Sequence, residues 1–239
     1  MAADHVTSAL YGRFLYASGD AFAVSGVMTR AGLLYEIGRG VGRLAFPIFC
    51  FLLVEGFFHT RNLRRYLSRM LLFCLVSEVP FDLAFSGQLF MLSYQNVFFT
   101  LFIGLCVMAG LAEIKKRFDF SGEKAPVRIL LQALCTGAGM LAAYAFHTDY
   151  AWQGILCIVL LYYLVPMRRI QAIAGAGAFM ILDDPAAGIA FILIWFYSGK
   201  RGSIRSAAAK WFFYLFYPVH LFLIWLIAAL LGLSAWPAL

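Results

Sequence analysis

Two histidines stand in segments of the chain that are otherwise strongly apolar. His220 lies within YLFYPVHLFLIWLI, shortly after a Tyr-Pro pair, and His5 lies in the first apolar segment. Imidazole is a good general base near neutral pH and can also carry an acyl group. We therefore interpret both histidines as candidate catalytic residues, with a structural polar network between helices as the alternative.

Asp4 is a charged residue within the first apolar segment. It directly precedes His5. Successive residues of a helix point about 100° apart, so the two side chains do not face each other. We therefore expect Asp4 to interact with a residue of another helix.

Other polar residues also interrupt apolar segments, where a charge costs about 2.5–3.5 kcal/mol on insertion scales. Such residues usually face a bundle interior or a water-filled cavity, and here they are Arg43, Glu55, Glu78, Asp82 and Asn96. Glu78 and Asp82 flank Pro80, so the alternative is that they satisfy backbone groups freed by the proline. Arg43 and Glu55 lie near the ends of one segment, so the alternative for them is an extended side chain at the interface.

Two further motifs have structural rather than chemical interpretations. The sequence has no H-E-x-x-H motif and no clustered ligand spacing, so we expect no metal site. GRGVGR at 38–43 follows no strand. Its glycines are therefore expected to permit close helix packing instead of dinucleotide binding.

Membrane helices must position these residues. The 239-residue chain is 63% hydrophobic and 13% charged, whereas soluble domains average about 45–50% and 25%. A spanning helix needs about 20 mostly apolar residues. Nine segments approach this pattern: 1–17, 40–59, 67–86, 89–112, 127–147, 151–166, 170–182, 187–198 and 211–233. The predicted fold class is an all-α polytopic membrane protein, a single domain over 1–239 with a bundle of about eight or nine transmembrane helices.

The basic residues alternate between loops. Of the 19 Lys and Arg residues, 15 lie in or beside four connections, at 61–69, 113–128, 168–169 and 199–210. The intervening connections, near 85–95, 147–151 and 183–186, contain none. The positive-inside rule places the basic loops in the cytoplasm, which puts the N-terminus inside and, with nine spans, the C-terminus outside.

An exception to this pattern is the predicted first external loop, about 18–40, which contains Arg30 and Arg39. The topology nevertheless explains most of the net charge of +7. We therefore expect no nucleic-acid partner.

Several blocks of the sequence resemble, in order, the TraX family of integral-membrane proteins. The blocks are GRLAFPIFCFLLVEGFFHTRN, YLSRMLLFCLVSEVPFDLAF, QNVFFTL, TDYAWQGIL, YSGKRG and YLFYPVHL, and the likeness extends from about Asp4 to about Leu226. The family is of the F-pilin acetylase type and is related to wider membrane acyltransferases that use acetyl-CoA. In similar proteins the Asp-His pair follows an apolar run, so we expect either an upstream start or a short first helix here.

The resemblance implies an acetyl-CoA-dependent acetyltransferase in the bacterial inner membrane. It implies catalytic roles for Asp4, His5 and His220, and orienting roles for Arg43, Glu55 and Tyr217. The acceptor is an amine or hydroxyl, on a pilin N-terminus or on an envelope glycan or lipid. Proton transfer by His5 or His220 and a transient acetyl-histidine are both open, and Asn96 is a further candidate for stabilising the oxyanion.

The anionic donor needs a basic entrance on the cytoplasmic side. The residues expected to supply it are Arg61, Arg64, Arg65, Lys200 and Arg201, with a topological signal as the alternative role. Two other functions remain open. A transporter of small molecules or lipids would also bury carboxylates and histidines in broken helices, and a non-catalytic assembly factor for a pilus or envelope machine needs no chemistry at all.

Overall fold

The computed structural model describes residues 1–19, 23–24, 27–118, 124–181, 184–199 and 206–233. The first helix consists of α1 (Ala2–His5), a π-helical segment (Val6–Tyr11) and α2 (Gly12–Ser18). A short antiparallel ribbon follows, made of β1 (Ala23–Val24) and β2 (Val27–Met28). The remaining helices are α3 (Arg30–Arg43), α4 (Ala45–His59), α5 (Leu63–Ser86), α6 (Val97–Arg117), α7 (Ala125–Ala145), α8 (Ala151–Leu164), α9 (Arg168–Ile181), α10 (Pro185–Trp195) and α11 (Ala207–Leu230).

The prediction of an all-α membrane protein is confirmed. Within the described residues, three helical segments are long and apolar enough to cross a bilayer: Arg30–His59, Val97–Arg117 and Ala125–Ala145. Shorter apolar helices cover Ala151–Leu164, Pro185–Trp195 and Tyr214–Leu230. The sixth to eighth predicted spans are short, as expected, because α8 and α9 have 14 residues each and α10 has 11. The total of eight or nine crossings stays a prediction.

Apolar side chains occupy both the interior and the outer surface of the bundle. The interior is formed largely by α4, α6 and α8, whose fully enclosed residues include Val54, Leu105, Met108, Ile155 and Ile158. Large apolar residues on α5, α7 and α10 point outward, among them Leu75, Leu141 and Leu193. An exterior of this kind is stable against lipid and not against water.

Two predicted boundaries are wrong. The second half of the loop predicted over 18–40 is helical, because α3 begins at Arg30, where the Thr29 hydroxyl accepts a hydrogen bond from Gly32 N at 3.0 Å. The fourth span was predicted from residue 89, but α6 begins at Val97. Hydropathy alone does not reveal where α3 and α6 begin. Charged residues interrupt the apolar pattern of α3, and the loop before α6 is apolar enough to resemble part of a helix.

Close packing joins α3 to the first helix through the glycines of GRGVGR. A Cβ atom added at Gly42 would lie 2.0 Å from Asp4 Cβ and 2.5 Å from Asp4 Cα. At Gly38 it would lie 2.2 Å from the Thr7 hydroxyl. The Gly-x-x-x-Gly spacing therefore lets two helix backbones approach at the level of Asp4 and Thr7. The prediction that these glycines permit close helix packing is confirmed.

The substitution Gly42→Ala should destabilise the protein, because the new methyl group would clash with backbone atoms of Asp4. These atoms are fixed within a helix and cannot move aside as the end of a flexible side chain could. Overpacking of this kind costs about 1–3 kcal/mol. Gly40→Ala is the matched control, since its Cβ would lie 3.8 Å from Ala186 Cβ, an ordinary contact. Thermal unfolding of the detergent-purified variants measures the difference, and equal stability of the two would contradict the packing.

Candidate functional site

The two histidines singled out in the sequence lie side by side. His5 Nδ1 and His220 Nε2 are 2.8 Å apart, and the ring planes are within 2° of each other. His5 is on α1 and is 7% exposed, while His220 is near the middle of α11. The first helix and α11 are therefore neighbours at this point of the bundle.

The hydrogen bonds fix the tautomer of each ring when both histidines are neutral. His220 Nδ1 lies 2.6 Å from the Phe216 carbonyl oxygen. Because a carbonyl only accepts hydrogen bonds, His220 carries its proton on Nδ1, and its Nε2 is an acceptor. His5 must then donate from Nδ1, so the lone pair of His5 is on Nε2. Within the described residues, Nε2 of His5 has no hydrogen-bond partner.

Aromatic rings surround the pair. The rings of Phe85 and Tyr217 each meet His5 edge-on, with centroids 5.6 Å away. Tyr217 is 3% exposed, and its ring also contacts His220 and Phe98. These rings separate the imidazoles from competing polar groups, which strengthens the hydrogen bond between them. Tyr217 therefore contacts both histidines, and the orienting role that the family resemblance implies for it stays a prediction.

Asp4 forms an ion pair with Arg39 of α3. The expectation that Asp4 interacts with another helix is therefore confirmed. Arg39 was missed as a site residue, because its position in a presumed loop made it an exception to the charge pattern. Arg43 also acts electrostatically on Asp4, although no ion pair of Arg43 is found in the part of the chain that the structure describes.

Glu55 belongs to a separate cluster. Its Oε1 forms an ion pair with Arg168, whose guanidinium lies over the rings of Phe51 and Tyr197 at 5.8 and 5.6 Å. Among the described residues, no contact joins Glu55 to either histidine. The predicted orienting role of Glu55 at the histidines is therefore not supported, because Glu55 pairs with Arg168 instead. From the sequence, Arg168 was interpreted only as one of the basic loop residues that set the topology.

Asn96 connects α5 and α6. Its side-chain oxygen caps α6 by accepting from Phe98 N at 2.9 Å, and its Nδ2 donates to the Cys74 carbonyl at 3.0 Å and to Glu78. Asp82 accepts from Met91 N at 2.7 Å. Asn96, Glu78 and Asp82 thus hold the connection between the two helices, which favours their structural interpretation.

A half-buried carboxylate in the connection before α8, that of Asp149, was missed. The Tyr94 hydroxyl donates to Asp149 Oδ1 at 2.7 Å, and Asp149 N donates to the Gln95 carbonyl at 3.0 Å. Burial raises the pKa of Asp149 to about 6, despite the hydrogen bond from Tyr94. The signal in the sequence was the TDYAWQGIL block itself, whose aspartate lies outside any predicted span.

A basic pocket of about 480 Å³ lies where α4 meets α5, and its lining residues are Thr60, Arg61, Asn62, Arg65, Ser68 and Arg69. The structure therefore brings together Arg61 and Arg65, two of the cations expected at one entrance. Arg64 is exposed on the same turn but does not line the pocket. Lys200 and Arg201 fall outside the described residues.

The described residues contain no group of three or more His, Cys, Asp or Glu side chains close enough to hold a metal ion.

Comparison with known proteins gives two matches. The profile described as TraX protein matches residues 1–228. A protein of Dichelobacter nodosus named "Probable fimbrial assembly protein FimC, serogroup H1" is 33% identical over 216 residues, which cover 80% of this chain and 82% of that protein. No solved structure matches the chain.

Proposed function

The chain belongs to the TraX family, and from that membership and the geometry of the histidine pair we propose that it is a membrane-embedded acetyltransferase. It moves an acetyl group from acetyl-CoA to an acceptor amine or hydroxyl. The observation that carries the proposal is the chain of hydrogen bonds from Phe216 through His220 to His5. That chain leaves the His5 Nε2 lone pair available to a substrate.

In the direct route, His5 Nε2 removes the proton of the acceptor as its nitrogen or oxygen attacks the thioester carbonyl. The carbon–sulfur bond then breaks, the acetyl group stays on the acceptor, and the CoA thiolate takes the proton back from His5. In the two-step route, Nε2 itself attacks the thioester carbonyl, the carbon–sulfur bond breaks and CoA leaves as the thiolate. The acceptor then attacks the acetyl group, the bond from the acetyl carbon to Nε2 breaks, and the proton of the acceptor neutralises the thiolate. His220 supports either route, because its Nε2 accepts the hydrogen bond from the His5 imidazolium or acetyl-imidazole.

The oxyanion that develops on the thioester needs a donor close to the histidines. Of the residues considered for this role, Tyr217 is the one whose ring contacts both imidazoles. Asn96 is already engaged by Cys74 and Glu78. We assign the oxyanion contact to the Tyr217 hydroxyl, and to Arg43 a supporting role through Asp4.

The donor enters from the basic end of the bundle. Arg61 and Arg65 line a pocket suited to its phosphates. From there α5 leads to Phe73, which stacks on Tyr214 of α11 with centroids 4.7 Å apart. The phosphates then stay at the entrance, while the slim pantetheine arm extends between α5 and α11 towards the histidines.

The basic end of the bundle faces the cytoplasm in this proposal, and the membrane is the bacterial inner membrane. The acceptor then approaches from the opposite face or from the lipid. The fimbrial name of the Dichelobacter nodosus relative favours a pilin subunit as acceptor over an envelope glycan or lipid. The same name also favours a second candidate function, a non-catalytic factor for pilus assembly.

The substitution His5→Gln should lower acetyl transfer about 10²–10⁴-fold, the usual contribution of a general base. His220→Gln should lower it by a smaller factor, because that ring orients His5. His59→Gln is the matched control: its Nδ1 also bonds a carbonyl four residues back, at 2.8 Å, but no second histidine is near. The assay follows thiol release from acetyl-CoA by purified protein, with CoA binding measured in parallel.

A near-normal rate in the His5→Gln protein would contradict the assignment of the base. A wild-type protein that binds no CoA and releases no thiol would favour the assembly factor.

Replacing Arg61 and Arg65 by alanine should weaken CoA binding about tenfold or more, since each removes a charge-assisted contact to phosphate. Arg64→Ala is the control, as this exposed arginine does not line the pocket. Wild-type affinity should fall as salt rises, and the double variant should show a smaller salt dependence. Equal affinities of the double variant and the control by equilibrium binding would place the donor entrance elsewhere.

A further inference from the structure

Arg13 is a buried cation of the first helix that the function proposed above does not use. The residue is 4% exposed, and its Nη2 donates a hydrogen bond to the Ala84 carbonyl of α5. Within the described part of the chain, its Nε has no hydrogen-bond partner and its guanidinium has no ion pair. Burying a cation against neutral groups alone costs free energy. The bond to Ala84 is therefore the contact that explains where Arg13 lies.

The Ala84 carbonyl lies in the last turn of α5, which ends at Ser86. The last four carbonyls of an α-helix have no N–H partner within the helix, and a positive charge beside them is favourable because of the helix dipole. Arg13 therefore caps α5 and joins the first helix to its C-terminal end.

His5 and Arg13 face the same helix although they are eight residues apart. The His5 ring contacts the ring of Phe85 edge-on, and Arg13 bonds Ala84, the preceding residue of α5. In a regular α-helix, residues eight apart point about 80° away from each other. This angle does not suit two side chains that meet consecutive residues of one neighbouring helix.

The π-helical segment Val6–Tyr11 lies between the two residues and removes this angle. A π turn, with hydrogen bonds from i to i+5, takes up about one residue more than an α turn. His5 and Arg13 are therefore oriented like α-helical residues seven apart, which point within about 20° of each other. Short π-helical segments of this kind are frequent at functional sites.

We propose that Arg13 and the π-helical segment together position His5 for its hydrogen bond with His220. The Arg13–Ala84 bond fixes the rotation of the first helix against α5, and the π-helical segment sets the angle from Arg13 to His5. The Asp4–Arg39 ion pair holds the other end of the same helix against α3. Without Arg13, the first helix is fixed at that end alone, and the 2.8 Å contact between His5 Nδ1 and His220 Nε2 is lost.

Arg13 is thus a positioning residue that acts through His5. Its effect on acetyl transfer rests on the function proposed above, whereas its effect on the histidine pair does not.

Arg13→Met tests this role, because it keeps most of the side-chain volume and removes the donor. Phe14→Met is the matched control on the same helix, at a residue that is 52% exposed. The measurements on the full chain in lipid are the nitrogen-15 scalar coupling between His5 and His220, the kcat and KM for acetyl-CoA, and CoA binding. Arg13→Met should abolish the coupling and lower kcat up to about 10²-fold, the cost of a misplacement of about 1 Å, with KM and CoA binding unchanged. Arg13→Lys should recover part of both losses, and Phe14→Met should cause neither.

A wild-type coupling in the Arg13→Met protein would overturn the role of Arg13. Equal losses in Arg13→Met and Phe14→Met would overturn it as well, because they would show a general loosening of the first helix. The coupling is measured without substrate, so it decides the placement of His5 even in a protein that transfers no acetyl group.

Deletion of Leu10, which is partly exposed, tests the π-helical segment. The deletion leaves His5 and Arg13 seven residues apart, a spacing that a regular α-helix places on one side. The coupling should therefore survive the deletion. Insertion of one alanine after Leu10 should abolish it, because a further residue rotates His5 by about 100° away from His220. Loss of the coupling in the deletion variant, or its survival in the insertion variant, would overturn the role of the segment.

Discussion

The hydrogen bond between His5 and His220 is the interaction on which the rest of the site depends. It joins residues 215 positions apart and links the first helix to the last. It also decides where each proton lies, because the Phe216 carbonyl fixes His220 and His220 in turn fixes His5. In an apolar bundle, the wrong tautomer would leave an imidazole nitrogen without a hydrogen-bond partner, because no water molecule is there to replace it. Fixing the tautomer therefore stabilises the pair more in the bundle than it would in water.

The packing around the two histidines positions them for this hydrogen bond. Gly38 and Gly42 let α3 approach the first helix closely, and Arg39 on the same helix neutralises Asp4. The charge beside His5 is therefore paired within the bundle instead of exposed to lipid, which would be costly. α11 contributes both His220 and Tyr217, so one helix supplies the orienting ring and an aromatic wall.

The sequence could predict those features that follow from the cost of placing polar groups in lipid. His5 and His220 stood out for that reason, and the 100° rule for helices correctly directed Asp4 to another helix. The sequence could not show which cation would form an ion pair with Asp4. Arg39 lies on α3, a helix whose charged residues interrupt its apolar pattern. Glu55 and Arg168 were misjudged for a related reason: residues 113 positions apart form an ion pair only through the tertiary fold.

The central claim is that His5 carries its proton on Nδ1 and its lone pair on Nε2. Nitrogen-15 NMR of the histidine-labelled protein in lipid measures this directly, with signals assigned by single substitutions. We expect both rings to be Nδ1-protonated and a scalar coupling to cross the hydrogen bond from His5 Nδ1 to His220 Nε2. A His5 ring protonated on Nε2, with no coupling to His220, would contradict it.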